Sequence, residues 1–123
     1  MCAILGIASH KKITDSNWIE SGLNSMNHRG PDMKGHWISQ NNKVVFGHNR
    51  LSIIDLSTSG RQPMSYGDNY HVTLNGEIYN FNILKSKLIK YGFQFSSNSD
   101  TEVLLAAYAK WGIKFLNHIE GMY

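Results

Sequence analysis

The sequence predicts an α+β fold with a mostly antiparallel sheet, and three observations carry that expectation. A short apolar run opens the chain, strand-like pairs flank turn residues through its middle, and helical spacing of apolar residues dominates its end. Strands, a helix, hairpins and then helices, in that order, describe an α+β arrangement rather than an alternating βαβ one.

Ala3 to Ala8 (AILGIA) is apolar and short, which reads as a buried strand. Ile19, Leu23 and Met26 recur at spacings of four and three and mark the face of a helix begun near Asp15 or Asn17. Asn17 with Glu20 has the spacing of a capping box. His28 to Asp32 (HRGPD) ends that helix, because Gly-Pro breaks it. Trp37-Ile38 and Val44-Val45-Phe46 flank Asn41-Asn42, two residues that tolerate positive φ, and predict a tight hairpin. Leu51 to Ile54 reads as a further strand and Thr58 to Pro63 as a loop. Tyr70, Val72 and Leu74 alternate as a half-buried strand does, and Gly76 allows a turn into Ile78-Tyr79.

Two helices follow. Phe81, Leu84, Leu88 and Tyr91 share a face, with Asn80 as cap and Gly92 as stop. Ser99-Asp100-Thr101-Glu102 fits the S-x-x-E capping box and opens a helix carrying Val103, Leu104, Ala107, Tyr108 and Trp111, stopped by Gly112. Gly121-Met122-Tyr123 has no closing turn and reads as an element cut short.

At 123 residues the chain has the length of one domain, and nothing in it reads as a linker or a repeat. A chain this size buries about 60–70% of its unfolded surface, enough for a core. With 41% hydrophobic and 17% charged residues, the composition excludes collagen, low-complexity disorder and a disulfide scaffold. The net charge of +3 is scattered rather than gathered on a face, so no nucleic-acid partner is expected. No apolar run approaches the roughly 18 residues of a membrane span. The N-terminal MCAILGIASHKK places its apolar stretch ahead of its lysines, the reverse of a secretory signal. A single cysteine cannot form an internal disulfide and fits a reducing compartment. The expectation is a soluble cytoplasmic protein.

Several motifs carry no chemistry. Gly30-x4-Gly35-His36 approaches a phosphate-binding loop but lacks its Lys and Ser/Thr. The six histidines show no paired metal spacing, and one cysteine cannot build a zinc site, so no metal is expected. Cys2 differs because of its position. Initiator methionine is removed readily before a small residue, which would leave a thiol and a free α-amino group on one residue. That amine has an unperturbed pKa of about 7.7–8.0 and can serve as a base near neutral pH. Its bland alternative is a small hydrophobe at a strand start. Asn75-Gly76 offers a side-chain amide and a flexible backbone N–H, the parts of an oxyanion hole, or else a simple hairpin turn. Arg50 projects from a strand edge as a cation, while Asp100 opens a helix, where the dipole favours a carboxylate for structural reasons alone.

Six segments then resemble a known family. They are Met1-Cys2-Ala3-Ile4-Leu5-Gly6-Ile7, Asn27-His28-Arg29-Gly30-Pro31-Asp32, the run Gly47 to Ser57 (GHNRLSIIDLS), Gln62-Pro63-Met64, Leu74-Asn75-Gly76-Glu77-Ile78-Tyr79-Asn80, and Ser99-Asp100-Thr101-Glu102. In this order they resemble the N-terminal glutaminase domain of asparagine synthetases, class II glutamine amidotransferases of the N-terminal-nucleophile hydrolase superfamily. The resemblance implies two stacked antiparallel sheets between helical layers, incomplete at the C-terminus. It implies Cys2 as nucleophile with its own amine as base, and Asn75 with the Gly76 N–H as oxyanion hole. It implies that Arg50 grips the glutamine α-carboxylate, that Asp100 and the Glu77 region face the α-amino group, and that the backbone around Leu51 and Ile53 lines the pocket.

The same resemblance implies no cofactor in this domain, with ATP and Mg²⁺ serving a synthetase domain in cis that activates aspartate. These 123 residues contain no Ser-Gly-Gly-x-Asp-Ser pyrophosphate loop, so that second domain is expected to be absent from them. Glutamine is the implied substrate, and a homodimer is left open. Two other readings stay open at this point: a non-catalytic fragment or binding module keeping the fold, and the amidotransferase of a related surface-polysaccharide enzyme.

Overall fold

The computed structural model describes residues 1–123 and is α+β, with antiparallel sheets and helices. Its contacts divide it into two compact units. The first comprises Met1–Ser52, Arg61–Pro63 and Thr73–Asn75, the second Ile53–Gly60, Met64–Val72 and Gly76–Tyr123.

In the first unit, β1 (Ala3–Ala8), β2 (Met33–Ile38) and β3 (Val44–Arg50) form an antiparallel sheet in the order β1-β3-β2. The register pairs Ala3 with Asn49 and Met33 with Arg50. Helix α1 (Trp18–Ser25) buries Ile19 and Leu23 against Val45, with Leu5 and Ile13 around them. β1 lies at the sheet edge and only Ala3 of it is buried, which corrects the expected buried strand: an apolar run shows that a strand forms, not which neighbour covers it.

The capping box at Asn17 does not form either. Asn17 is itself helical, at φ −61° and ψ −27°, and its N–H donates to Asp15 Oδ1 at 2.8 Å. The β2–β3 hairpin forms with Asn42 at φ 55°. Its loop is longer than a tight turn, because Ser39 Oγ accepts from both Lys43 N and Val44 N.

β3 ends at Arg50, and the strand expected over Leu51 to Ile54 is absent. Side-chain atoms far away in sequence claim its backbone instead. The Leu51 N–H points to Cys2 Sγ at 3.4 Å, and the Ser52 N–H donates to Asp32 Oδ2 at 2.7 Å.

The second unit holds two short antiparallel pairs, the hairpin β4 (Met64–Tyr66) with β5 (Tyr70–Val72) and the long-range pair β6 (Glu77–Ile78) with β7 (Gly121–Met122). Helices α2 (Phe81–Lys90) and α3 (Asp100–Trp111) bury Leu84, Leu88, Val103, Ala106 and Ala107 with Ile78 and Ile119. Gly92 and Gly112, at φ 89° and 57°, end the helices where expected. Asn80 precedes α2 without capping it. Its amide instead donates to the His118 carbonyl and accepts from the Glu120 N–H.

Half of the capping box at α3 forms. Ser99 Oγ accepts from the Thr101 N–H, but Glu102 reaches past Ser99 to the backbone N–H and hydroxyl groups of Ser96 and Ser97, at 2.6–2.9 Å. Burial pushes the Glu102 carboxyl pKa up, but these four donors outweigh burial and hold it below the ordinary carboxylate range. A depressed folded pKa means stability that is present above the unfolded pKa of about 4.3 and lost as pH falls through the lower folded value. Glu102→Gln should therefore cost about 2 kcal/mol at neutral pH and flatten the acid limb of stability. Thermal melts of both proteins from neutral to acid pH check this, and parallel acid limbs would contradict it.

Candidate functional site

The first unit gathers Cys2, Arg50, Leu51 and Asn75, four of the residues singled out from sequence. Continuing the Ala3–Asn49 register by one step sets Cys2 across from Arg50, so the antiparallel pairing brings the chain's second residue to the end of β3. Cys2 Sγ lies 3.4 Å from the Leu51 N–H and 3.7 Å from the Leu51 carbonyl. A thiol can donate to that carbonyl, while a thiolate keeps the N–H as a donor, so this backbone serves both protonation states. The Cys2 carbonyl accepts from Arg29 Nε at 3.1 Å, which anchors the residue from its other side. Met1 is 62% exposed, so what stands ahead of Cys2 is not packed into the core.

Arg50 is buried at the last position of β3, and its Nη1 lies 3.7 Å from Met33 Sδ. Its position on the central strand corrects the expected strand edge; the cation is at a strand end instead.

Asn75 is half-buried. Leu74, expected as part of the strand before it, lies beyond β5, which stops at Val72. The reason is again distant side chains. The Leu74 N–H donates to Gln62 Oε1 at 2.6 Å, and the Leu74 carbonyl accepts from His48 Nε2 at 3.1 Å. Asn75-Gly76 is also not a hairpin turn, because β5 pairs with β4 and β6 with β7.

The second unit contains Ile53, Gly76, Glu77 and Asp100. Ile53 is exposed and Glu77 half-buried on β6. A Cβ at Gly76 would come within 2.6 Å of the Met122 carbonyl, so the close approach of β7 excludes any side chain there. Asp100 is buried, and its Oδ2 accepts from the Ile78 N–H at 2.9 Å while Thr101 Oγ1 lies 3.4 Å from Oδ1. Its carboxylate thus joins the start of α3 to β6, a structural task that the sequence did not reveal.

His48 and Gln62 lie in segments that carry the resemblance but received no site role from sequence. His48 was set aside with the other histidines for lack of metal spacing, and no spacing connects it to Leu74. Burial, opposed by the bond to the Leu74 carbonyl and reinforced by the Arg50 charge, pushes the His48 pKa down to about 4, so the ring is neutral near pH 7. No three His, Cys, Asp or Glu side chains come together as metal ligands. No helix is long and apolar enough to cross a membrane.

Comparisons with known proteins give the family of the chain. Residues 1–123 match the family model described as a glutamine amidotransferase domain. The glutamine-hydrolyzing asparagine synthetase 3 of Bacillus subtilis is 37% identical over the whole chain, and asparagine synthetase B of Escherichia coli is 38% identical over the whole chain. Amidase chry2 of Gibberella zeae is 43% identical over 84% of it. The chain spans 15%, 20% and 22% of the lengths of the Gibberella, Bacillus and Escherichia proteins.

Proposed function

This chain belongs to the glutamine amidotransferase family, and from that premise we propose that it hydrolyses glutamine through a thioester on Cys2 and releases ammonia. The observation that carries the reading is the placement of the only thiol, on the second residue, against the Leu51 N–H at the end of β3.

With Met1 removed, the Cys2 amine accepts the thiol proton as sulfur attacks the glutamine side-chain carbonyl. The Asn75 amide and the Gly76 N–H stabilise the oxygen anion that forms. The protonated amine then gives its proton to the departing nitrogen, and ammonia leaves. Water, deprotonated by the same amine, cleaves the thioester to glutamate and restores the thiol. Dividing one difficult amide hydrolysis into two acyl transfers lowers each barrier.

In the whole protein the ammonia would serve an ATP- and Mg²⁺-dependent synthetase domain in cis that amidates aspartate. Support comes from the Bacillus and Escherichia relatives, named asparagine synthetases and matched over this entire chain. The Gibberella relative, more identical over a shorter span and named an amidase, favours a second reading in which the amide hydrolysis serves something other than asparagine synthesis. For the complete domain we propose two stacked antiparallel sheets between helical layers, and for the protein a cytoplasmic location.

Substrate grip supplies the test. Arg50 can meet the glutamine carboxylate with a bidentate pair that a lysine cannot reproduce. Such charge-assisted bonds are worth roughly 1.5–3 kcal/mol, so Arg50→Lys in the full-length protein should raise the glutamine KM about ten- to a hundredfold. Synthesis from free ammonia should be nearly untouched. For the ammonium end, Asp100→Asn is the informative change, since it keeps an acceptor for the Ile78 N–H while removing the charge. Wild-type protein should yield glutamate and ammonia in equal amounts. Steady-state kinetics with both nitrogen sources decides, and lowered melting temperatures with an unchanged glutamine KM would sink the assignment.

A further inference from the structure

We propose that His48 and Gln62 are positioning residues that set the Asn75 amide for the reaction by gripping Leu74, the residue before it, on both sides of its backbone. The inference rests on the reading of Asn75 as an oxyanion donor.

Leu74 is held as strand residues are, but by side chains. Its N–H is bonded to Gln62 Oε1 at 2.6 Å and its carbonyl to His48 Nε2 at 3.1 Å. Next to it, Thr73 Oγ1 lies 3.4 Å from the Gly47 carbonyl. Both gripping residues are buried, His48 at 1% and Gln62 at 7% exposure, so their rotamers are restricted by packing. Their meeting is built into the sheet. Gly35 on β2 pairs with His48 on β3, and a Cβ on Gly35 would lie 2.3 Å from the Gln62 carbonyl. Only glycine lets the Gln62 backbone come that close to the strand beside His48.

The protonation state of His48 follows from its surroundings. Nε2 faces a carbonyl and must carry the proton, which leaves Nδ1 as an acceptor. Nδ1 is buried and has no partner. A residue chosen only to fill this space would be apolar, since an unmet buried acceptor is unfavourable. Arg50 is the charged group that bears on the ring, and with burial it keeps the imidazole neutral. His48 therefore acts as a fixed N–H donor rather than a base. Precise placement matters because an oxyanion donor misplaced by about 1 Å costs on the order of a hundredfold in rate.

The test uses glutamine hydrolysis by the full-length protein. His48→Phe, which keeps a flat ring but loses the donor, should lower kcat about a hundredfold and leave the glutamine KM within about twofold. His48→Gln, which can restore an N–H to the Leu74 carbonyl, should recover most of the loss. Gln62→Met, which removes the acceptor at similar length, carries the same expectation and decides the matter if His48→Phe does not fold. In an Asn75→Ala background, which itself should cost about 10²–10³ in kcat, His48→Phe should cost nothing more. Independent, multiplying losses in the double variant would overturn the inference, as would folded single variants with unchanged kcat. Full activity of Asn75→Ala would instead remove the oxyanion reading, and this inference with it.

Discussion

Replacing Cys2 by alanine should abolish glutamine hydrolysis by the full-length protein, with kcat lower by at least about 10⁴-fold. These 123 residues contain no other thiol, so no second cysteine among them can take over the attack. Nor should the fold be lost. Cys2 is half-buried just before the edge strand, and the hydrogen bonds of its side chain are weak sulfur ones to the Leu51 backbone. The Cys2 carbonyl, which holds Arg29, is kept by alanine. The change should cost no more than about 1 kcal/mol of stability. The ammonia-dependent synthesis proposed for the rest of the protein should persist. Appreciable glutaminase activity in a folded Cys2→Ala protein would refute the assignment of the nucleophile.

An uncleavable extension ahead of Cys2 should silence the enzyme almost as completely while leaving the thiol in place. An amide nitrogen is not basic, so the proton that must leave sulfur has nowhere local to go. Loss of a general base alone costs about 10²–10⁴-fold, and crowding at the sulfur adds to it. Unfolding cannot account for such a loss, because Met1 is exposed and the strand behind it forms with Met1 attached. Intact mass gives the processed fraction and ammonia release gives the turnover. Activity should scale with the processed fraction, and equal turnover by both forms would rule out the amine as base.

The contrast between these tests and the positioning test reflects where information lies in the chain. Element type was readable from near neighbours, although the caps expected at Asn17 and Asn80 were not. The six-residue apolar run became β1, helical spacing located α2 and α3, and Asn42, Gly92 and Gly112 took the positive φ that asparagine and glycine tolerate. Cys2 stood out by position alone, and the ordered segments around Arg50, Asn75 and Asp100 identified the family to which the chain belongs.

Elsewhere, the backbone found its hydrogen-bond partners far along the chain, and only the tertiary structure decided. Leu51 and Ser52 looked like strand residues, but Cys2 and Asp32 take their N–H groups. Leu74 looked like the end of a strand, but Gln62 and His48 hold it, which turns an ordinary histidine into part of the site's support. Asp100 looked like a helix-start charge, but it also binds the Ile78 N–H, twenty-two residues away. A backbone N–H or carbonyl must be satisfied wherever it is buried, and periodicity cannot say which distant side chain will do it. Local spacing therefore determined the elements, and position marked Cys2 as the candidate nucleophile, whereas long-range hydrogen bonds determined where the elements stop and how the residue before Asn75 is held.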